Sequence, residues 1–152
     1  MIYFILLVLT LNILWCGMAF HYFWFKTESA AKLLLIRENR AEPYRSIVAQ
    51  AIKFIGAFNF AFMLLSIFAL VRYHYPELDK ETNAALFFTF FAAHFGQFWG
   101  NLPLALKERK GQKTLWPVLQ KRMLFIFRND FILAVLNLMI SFYWLFDNYC
   151  KK

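Results

Sequence analysis

Residues 84–106, AALFFTFFAAHFGQFWGNLPLAL, are long enough as a helix to cross a bilayer, yet they carry His94, Gln97 and Asn101. The spacing i, i+3, i+7 puts these three side chains on one face of a helix, and burying them in hydrocarbon without partners costs free energy. Other segments must therefore supply polar partners, which predicts a helical bundle.

Three further apolar stretches, at residues 2–25, 46–71 and 123–146, meet the same length requirement. The chain is 61 % hydrophobic with 20 Phe, more than a soluble domain of 152 residues can bury. Its charged residues gather in short blocks between the apolar runs. The expected fold is all-α: a polytopic membrane protein forming one domain, an antiparallel bundle of four transmembrane helices. The first span has no basic region before it, so it reads as a retained anchor and not as a signal peptide. Trp15 stands where a lipoprotein cleavage site before Cys16 requires a small residue.

The connection at residues 26–45 alternates Lys32, Arg37, Arg40 and Arg45 with Glu28, Glu38 and Glu42 around a greasy run at 33–36. It predicts a short interfacial helix between the first two spans, capped by Thr27 and ended by Pro43. In the second span Gly56, Ala57 and Ala61 form a small-residue patch suited to close helix contact. The connection at 72–83, with His74 and Glu77, is short and mildly acidic. The one at 107–122 is the most basic stretch, with Gly111 as its turn signal and Pro117 breaking any continuous helix. Cys16 and Cys150 are too far apart in depth to suggest a disulfide or a metal pair.

Thirteen of the 17 Lys and Arg lie in or beside the first and third connections. By the distribution of basic loops, those connections face the cytoplasm and both termini lie outside, which suits a bacterial inner membrane. The net charge of +8 thus reads as topology and not as nucleic-acid binding. Arg109, Lys110, Lys113, Lys121 and Arg122 are placed to meet anionic lipid headgroups.

Helical rise sorts the intramembrane polar residues by depth. His21, Lys53, Gln97, Asn101 and Asp130 form a layer in the cytoplasmic half, while Asn59, His94 and Asn137 lie near the middle. Asp130, Asn137 and Ser141 share one stripe of the last span. Ionisable groups inside a membrane mark candidate functional sites, so Lys53, His94 and Asp130 are the candidate catalytic residues, with Lys53 and Asp130 as the first pairing. For His94 the preferred reading is a neutral imidazole bonded to Asn59 or Asn137. Haem bound by two histidines is disfavoured because His21 and His94 differ in depth by roughly 10 Å. No zinc spacing, nucleophile elbow, phosphate loop or di-iron pattern is present, so no metal and no cofactor is expected.

The four-span plan, with an amphipathic first connection and the amide-bearing stretch at residues 51–62, resembles that of the small DoxX-like bacterial membrane proteins and, more distantly, the MAPEG-type glutathione enzymes. The resemblance implies a four-helix membrane bundle. The arginine and asparagine arrangement of a glutathione-binding helix is absent, so no catalytic residue is carried over. The leading expectation is a non-enzymatic envelope or membrane-complex subunit that associates with itself or with another membrane protein. The alternative is a membrane enzyme or carrier for a lipophilic substrate, with its polar site in the cytoplasmic half.

Overall fold

The computed structural model describes residues 1–35, 37–41, 43–73, 79–114 and 116–146. His74, Glu77 and Glu42, with Cys150 and the rest of the C-terminal tail, lie outside the described residues.

Ile2–Phe25 contains no charge, proline or mid-helix interruption and forms one helix, α1. It stops where Lys26 leaves helical geometry, its N–H still donating to the Tyr22 carbonyl. Thr27–Leu34 then forms α2, followed by a single tight turn at Arg37–Asn39. α2 buries Ala30 and Ala31 against Ala49 and Ile52 of α3, Tyr44–Arg72. An ion pair from Arg45 Nε to Glu28 Oε2, at 3.1 Å, joins the same two helices at their charged face. Two expectations change here. Thr27 is the first helical residue of α2 and makes no cap bond, and the helix ends at Leu34, well before Pro43, which instead precedes α3.

The fourth helix, α4, runs Lys80–Arg109, and the fifth, α5, Lys121–Phe146. Asp79 caps α4 by accepting from the Thr82 N–H and hydroxyl, at 2.7 and 2.8 Å. Gly111, at φ 71°, takes the left-handed conformation that ends the helix. Pro103 lies inside α4, where it removes one backbone donor without ending the helix.

α1 packs along α3 and α4 along α5, and α1 touches α5 to join the two pairs. All four long helices contribute to one apolar cluster, in which Ile5, Val8 and Leu9 meet Ala69, Phe87, Phe90 and Ile140. At the other end, α1 and α3 approach so closely that a Cβ on Gly56 would stand 3.2 Å from the Trp24 backbone nitrogen. The small-residue patch is narrower than expected: Gly56 is buried at this contact, while Ala57 and Ala61 are exposed.

The outer surface is apolar. Phe54, Phe58, Phe88, Phe125 and Trp99 are all more than half exposed, as side chains facing lipid are. Among the described residues, α1, α3 and α5 are long and apolar enough to cross a membrane, which fits an integral membrane protein. α4 is the longest helix but falls outside that group, because His94, Gln97 and Asn101 dilute the hydropathy of its apolar stretch.

Candidate functional site

A polar chain joins α1, α4 and α5. It begins at a backbone carbonyl. Asn137 Nδ2 donates to the Leu133 carbonyl at 2.8 Å, which fixes the amide's orientation and turns Oδ1 toward α1. There Asn12 Nδ2 donates to Asn137 Oδ1 at 2.9 Å, so Asn12 Oδ1 is left to accept. It faces Asn137 Nδ2 at 3.2 Å and His94 Nε2 at 3.0 Å. An acceptor at that position means that Nε2 carries the hydrogen. The tautomer is thereby set by a carbonyl two side chains away.

The other ring nitrogen, Nδ1, lies 3.3 Å from Asp130 Oδ1. That oxygen also accepts from the Trp15 indole at 3.0 Å, and Trp15 is braced edge-on against Phe125 with ring centroids 5.6 Å apart. Asn12, Asp130 and Asn137 are fully buried and His94 is 2 % exposed. Asp130 Oδ2 has no hydrogen-bond partner among the described residues. A buried carboxylate oxygen without a donor is costly, so this atom is the exception in an otherwise satisfied network.

Asp130 also lines a cavity of about 570 Å³. Its walls are mostly apolar: Phe23 of α1, Ile55, Phe58 and Phe62 of α3, and Met123 and Ile126 of α5. Three amides add polarity, Asn59, Gln97 and Asn101. Asn59 and Asn101 spend their Nδ2 groups on the Ile55 and Gln97 carbonyls. Asn101 Oδ1 accepts from the Trp116 indole at 2.8 Å, closing the cavity's basic end. A second cavity, of about 630 Å³, lies between α1 and α5 and shares Phe23, Gln97 and Ile126 with the first. Trp15 lines the second and Asp130 the first, so their hydrogen bond stands in the partition.

The sequence-derived residues are distributed as follows. His94 and Asp130 meet directly, although the depth ranking set them in different layers. Both belong with Asn137 to one network. The Lys53–Asp130 pair does not form: Lys53 is half-exposed and has no bonded partner among the described residues, while Trp15 and His94 take its place at the carboxylate. Asn59 does not reach His94, and the imidazole's partner on the amide side is Asn12. His21 is exposed, lies tilted against Phe25 with ring centroids 5.7 Å apart and lines the second cavity. Gln97 and Asn101 line the first cavity, as their shared stripe with His94 requires. Arg109, Lys110, Lys113, Lys121 and Arg122 are all exposed at the basic end. Ser141 completes its stripe by donating to the Ala84 carbonyl at 2.9 Å.

Asn12 and Trp15 were missed. The available signal was a lone amide inside a charge-free span, one turn before an indole N–H, both of which require partners when buried. Among the described residues no three His, Cys, Asp or Glu side chains gather as metal ligands do. Cys16, buried beside this network, is a free thiol. No protein-family model, curated protein or solved structure matches the chain.

Proposed function

We propose that the chain is a four-span antiparallel bundle in a bacterial inner membrane that binds, and as a carrier releases, a lipophilic molecule bearing one hydrogen-bond donor. The observation that carries this reading is Asp130 Oδ2, fully buried, unpartnered among the described residues and belonging to a residue on the wall of a largely apolar 570 Å³ cavity. Sites for small ligands combine such apolar walls with a few convergent polar groups. Ile55 and Phe58 lie on the wall and are also 40 % and 68 % exposed, so the route of entry runs between helices, from the lipid.

α4 serves as the fourth span. Its 30 residues extend about 45 Å at the helical rise, more than a hydrocarbon core requires. Its polar residues His94, Gln97 and Asn101 line the network and cavity, while Phe88, Phe95 and Trp99 are exposed. Both basic connections face the cytoplasm, where Arg109, Lys110, Lys113, Lys121 and Arg122 meet anionic headgroups. The termini face outward. Resemblance in plan to the DoxX-like proteins carries no residue into this reading.

The test is native mass spectrometry of the protein extracted gently from its own membrane. A lipophile bound at one per chain, and lost in Asp130→Leu with helicity unchanged, supports the reading. An empty cavity in the wild-type protein, with no ligand-dependent change in unfolding, removes it.

A second reading, a non-enzymatic subunit of a homo-oligomer or larger membrane complex, is favoured by the reciprocal Asn12–Asn137 bonds, which hold α1 to α5 whether or not anything occupies the cavity. A defined oligomer or partner recovered with nothing else bound decides for it.

A further inference from the structure

Resting on the ligand-binding reading above, we infer that the cavity at Asp130 selects an uncharged hydroxyl, a lipophilic alcohol or phenol, against amines and ethers of the same shape. The selection follows from counting protons around His94. The Leu133 carbonyl orients Asn137, Asn137 orients Asn12, and Asn12 presents an oxygen to His94 Nε2, which must therefore donate. Nδ1 then faces a carboxylate oxygen at 3.3 Å. With no proton between them, two lone pairs would oppose each other in a fully buried contact. One proton therefore lies between Nδ1 and Asp130 Oδ1.

Whichever atom holds that proton more closely, the two side chains together carry no net charge. An ammonium entering the cavity would bring an uncompensated charge into a medium that penalises it heavily. The proton is also committed to the His94 side, and Trp15 directs its N–H to the same Oδ1. Oδ2 is left as a pure acceptor. It can be satisfied only by a donor, so an ether leaves it orphaned and loses the bond. A hydroxyl that displaces the wall atoms covering Oδ2 donates to it without adding charge. Its own oxygen can accept in turn from an amide on the wall, and Gln97, which makes no side-chain hydrogen bond among the described residues, lines the same cavity.

The experiment uses the full chain in nanodiscs and four probes compared at equal mole fraction in the bilayer: para-octylphenol, its methyl ether, para-octylbenzylamine and dodecanol. Binding is read by native mass spectrometry and by the shift in unfolding midpoint. The expected result is at least about tenfold tighter binding of the phenol than of its ether or the benzylamine, as one buried hydrogen bond supplies. Dodecanol separates the two hydroxyl classes: binding at the phenol's level means that the hydroxyl alone is read, and binding only of the phenol means that the ring is read as well. Both fit the proposal.

The His94→Gln variant adds a readout that a merely structural histidine would not move. Removing the imidazole removes its share of the proton that neutralises the pair, and the ratio of amine to phenol affinity should rise by about tenfold or more. Ether or benzylamine binding as tightly as the phenol overturns the hydroxyl selection while leaving a lipophile site in place. Failure of all four probes to bind overturns the ligand-binding reading itself.

Discussion

Asn12 and Asn137 exchange two amide hydrogen bonds, at 2.9 and 3.2 Å, across the contact between α1 and α5. Few direct contacts join the two helix pairs, so this exchange and the apolar cluster around Ile5 and Ile140 hold α1 against α5. Replacing Asn12 by Leu removes the partner of Asn137 and leaves the His94 Nε2–H without an acceptor. The expected cost is about 1–3 kcal/mol, read by unfolding in bicelles. A double-mutant cycle with Asn137→Ala should return a coupling of about 1 kcal/mol, the scale of hydrogen bonds between membrane helices. A coupling near zero would mean that the amides act independently.

Gly56 and Gly96 should respond oppositely to an added side chain. A Cβ at Gly56 meets the backbone of Phe23 and Trp24 at 3.2–3.3 Å, and backbone cannot swing aside. Gly56→Val is expected to cost about 1–3 kcal/mol by forcing α1 from α3. Nothing lies within 4 Å of a Cβ at Gly96, so Gly96→Ala should be neutral or stabilise by up to about 1 kcal/mol through lost backbone freedom. The same unfolding assay compares both.

Asp79 is held below the usual carboxylate range, first by the Thr82 backbone N–H and then by the Thr82 hydroxyl. A depressed folded-state pKa means that the cap's contribution is complete above the ordinary aspartate range and is lost as pH falls through the lowered value. Amide exchange at Thr82 should therefore be slowed at neutral pH and should lose that protection on acidification. Asp79→Ala should lack the protection at every pH. Equal protection in the two proteins would remove the cap from the account.

The stretch between α4 and α5 is tied down by two bonds from α4. Glu108 Oε2 accepts the Leu119 N–H at 2.7 Å, and Asn101 accepts the Trp116 indole. Glu108→Ala is expected to speed tryptic cleavage after Lys113 by about tenfold, the population change for roughly 1.4 kcal/mol of local opening. The α4 amides before Pro103 should keep their exchange rates. Unchanged cleavage would show that the loop is held by Val118 burial and Trp116 alone.

Helical periodicity made the Asp130, Asn137 and Ser141 stripe legible, because i, i+7 and i+11 share a face in any straight helix. The stripe of His94, Gln97 and Asn101 was readable for the same reason. Periodicity says nothing of which neighbouring helix a stripe meets. Depth assigned from span ends placed His94 and Asp130 apart, but small differences in where each helix starts and how it tilts shift side chains by a turn. That is enough to exchange Lys53 for His94 beside a carboxylate.

The sequence alone predicted a helical chain with four apolar runs of spanning length, of which three form helices long and apolar enough to cross a membrane, and it required the polar side chains inside those runs to find one another. These follow from local quantities: the length of apolar runs, the places where charge interrupts them, and the expense of an unpaired polar group in hydrocarbon. Tertiary structure decided which polar groups met. Asn12 reached His94 from 82 residues away and Trp15 reached Asp130 from 115, through the packing of α1 beside α5. The partner of a buried donor is set by how helices cross and where a glycine lets them close. Asp130 Oδ2, a buried oxygen left without a partner among the described residues, belongs to a residue on a cavity wall that no single helix encodes.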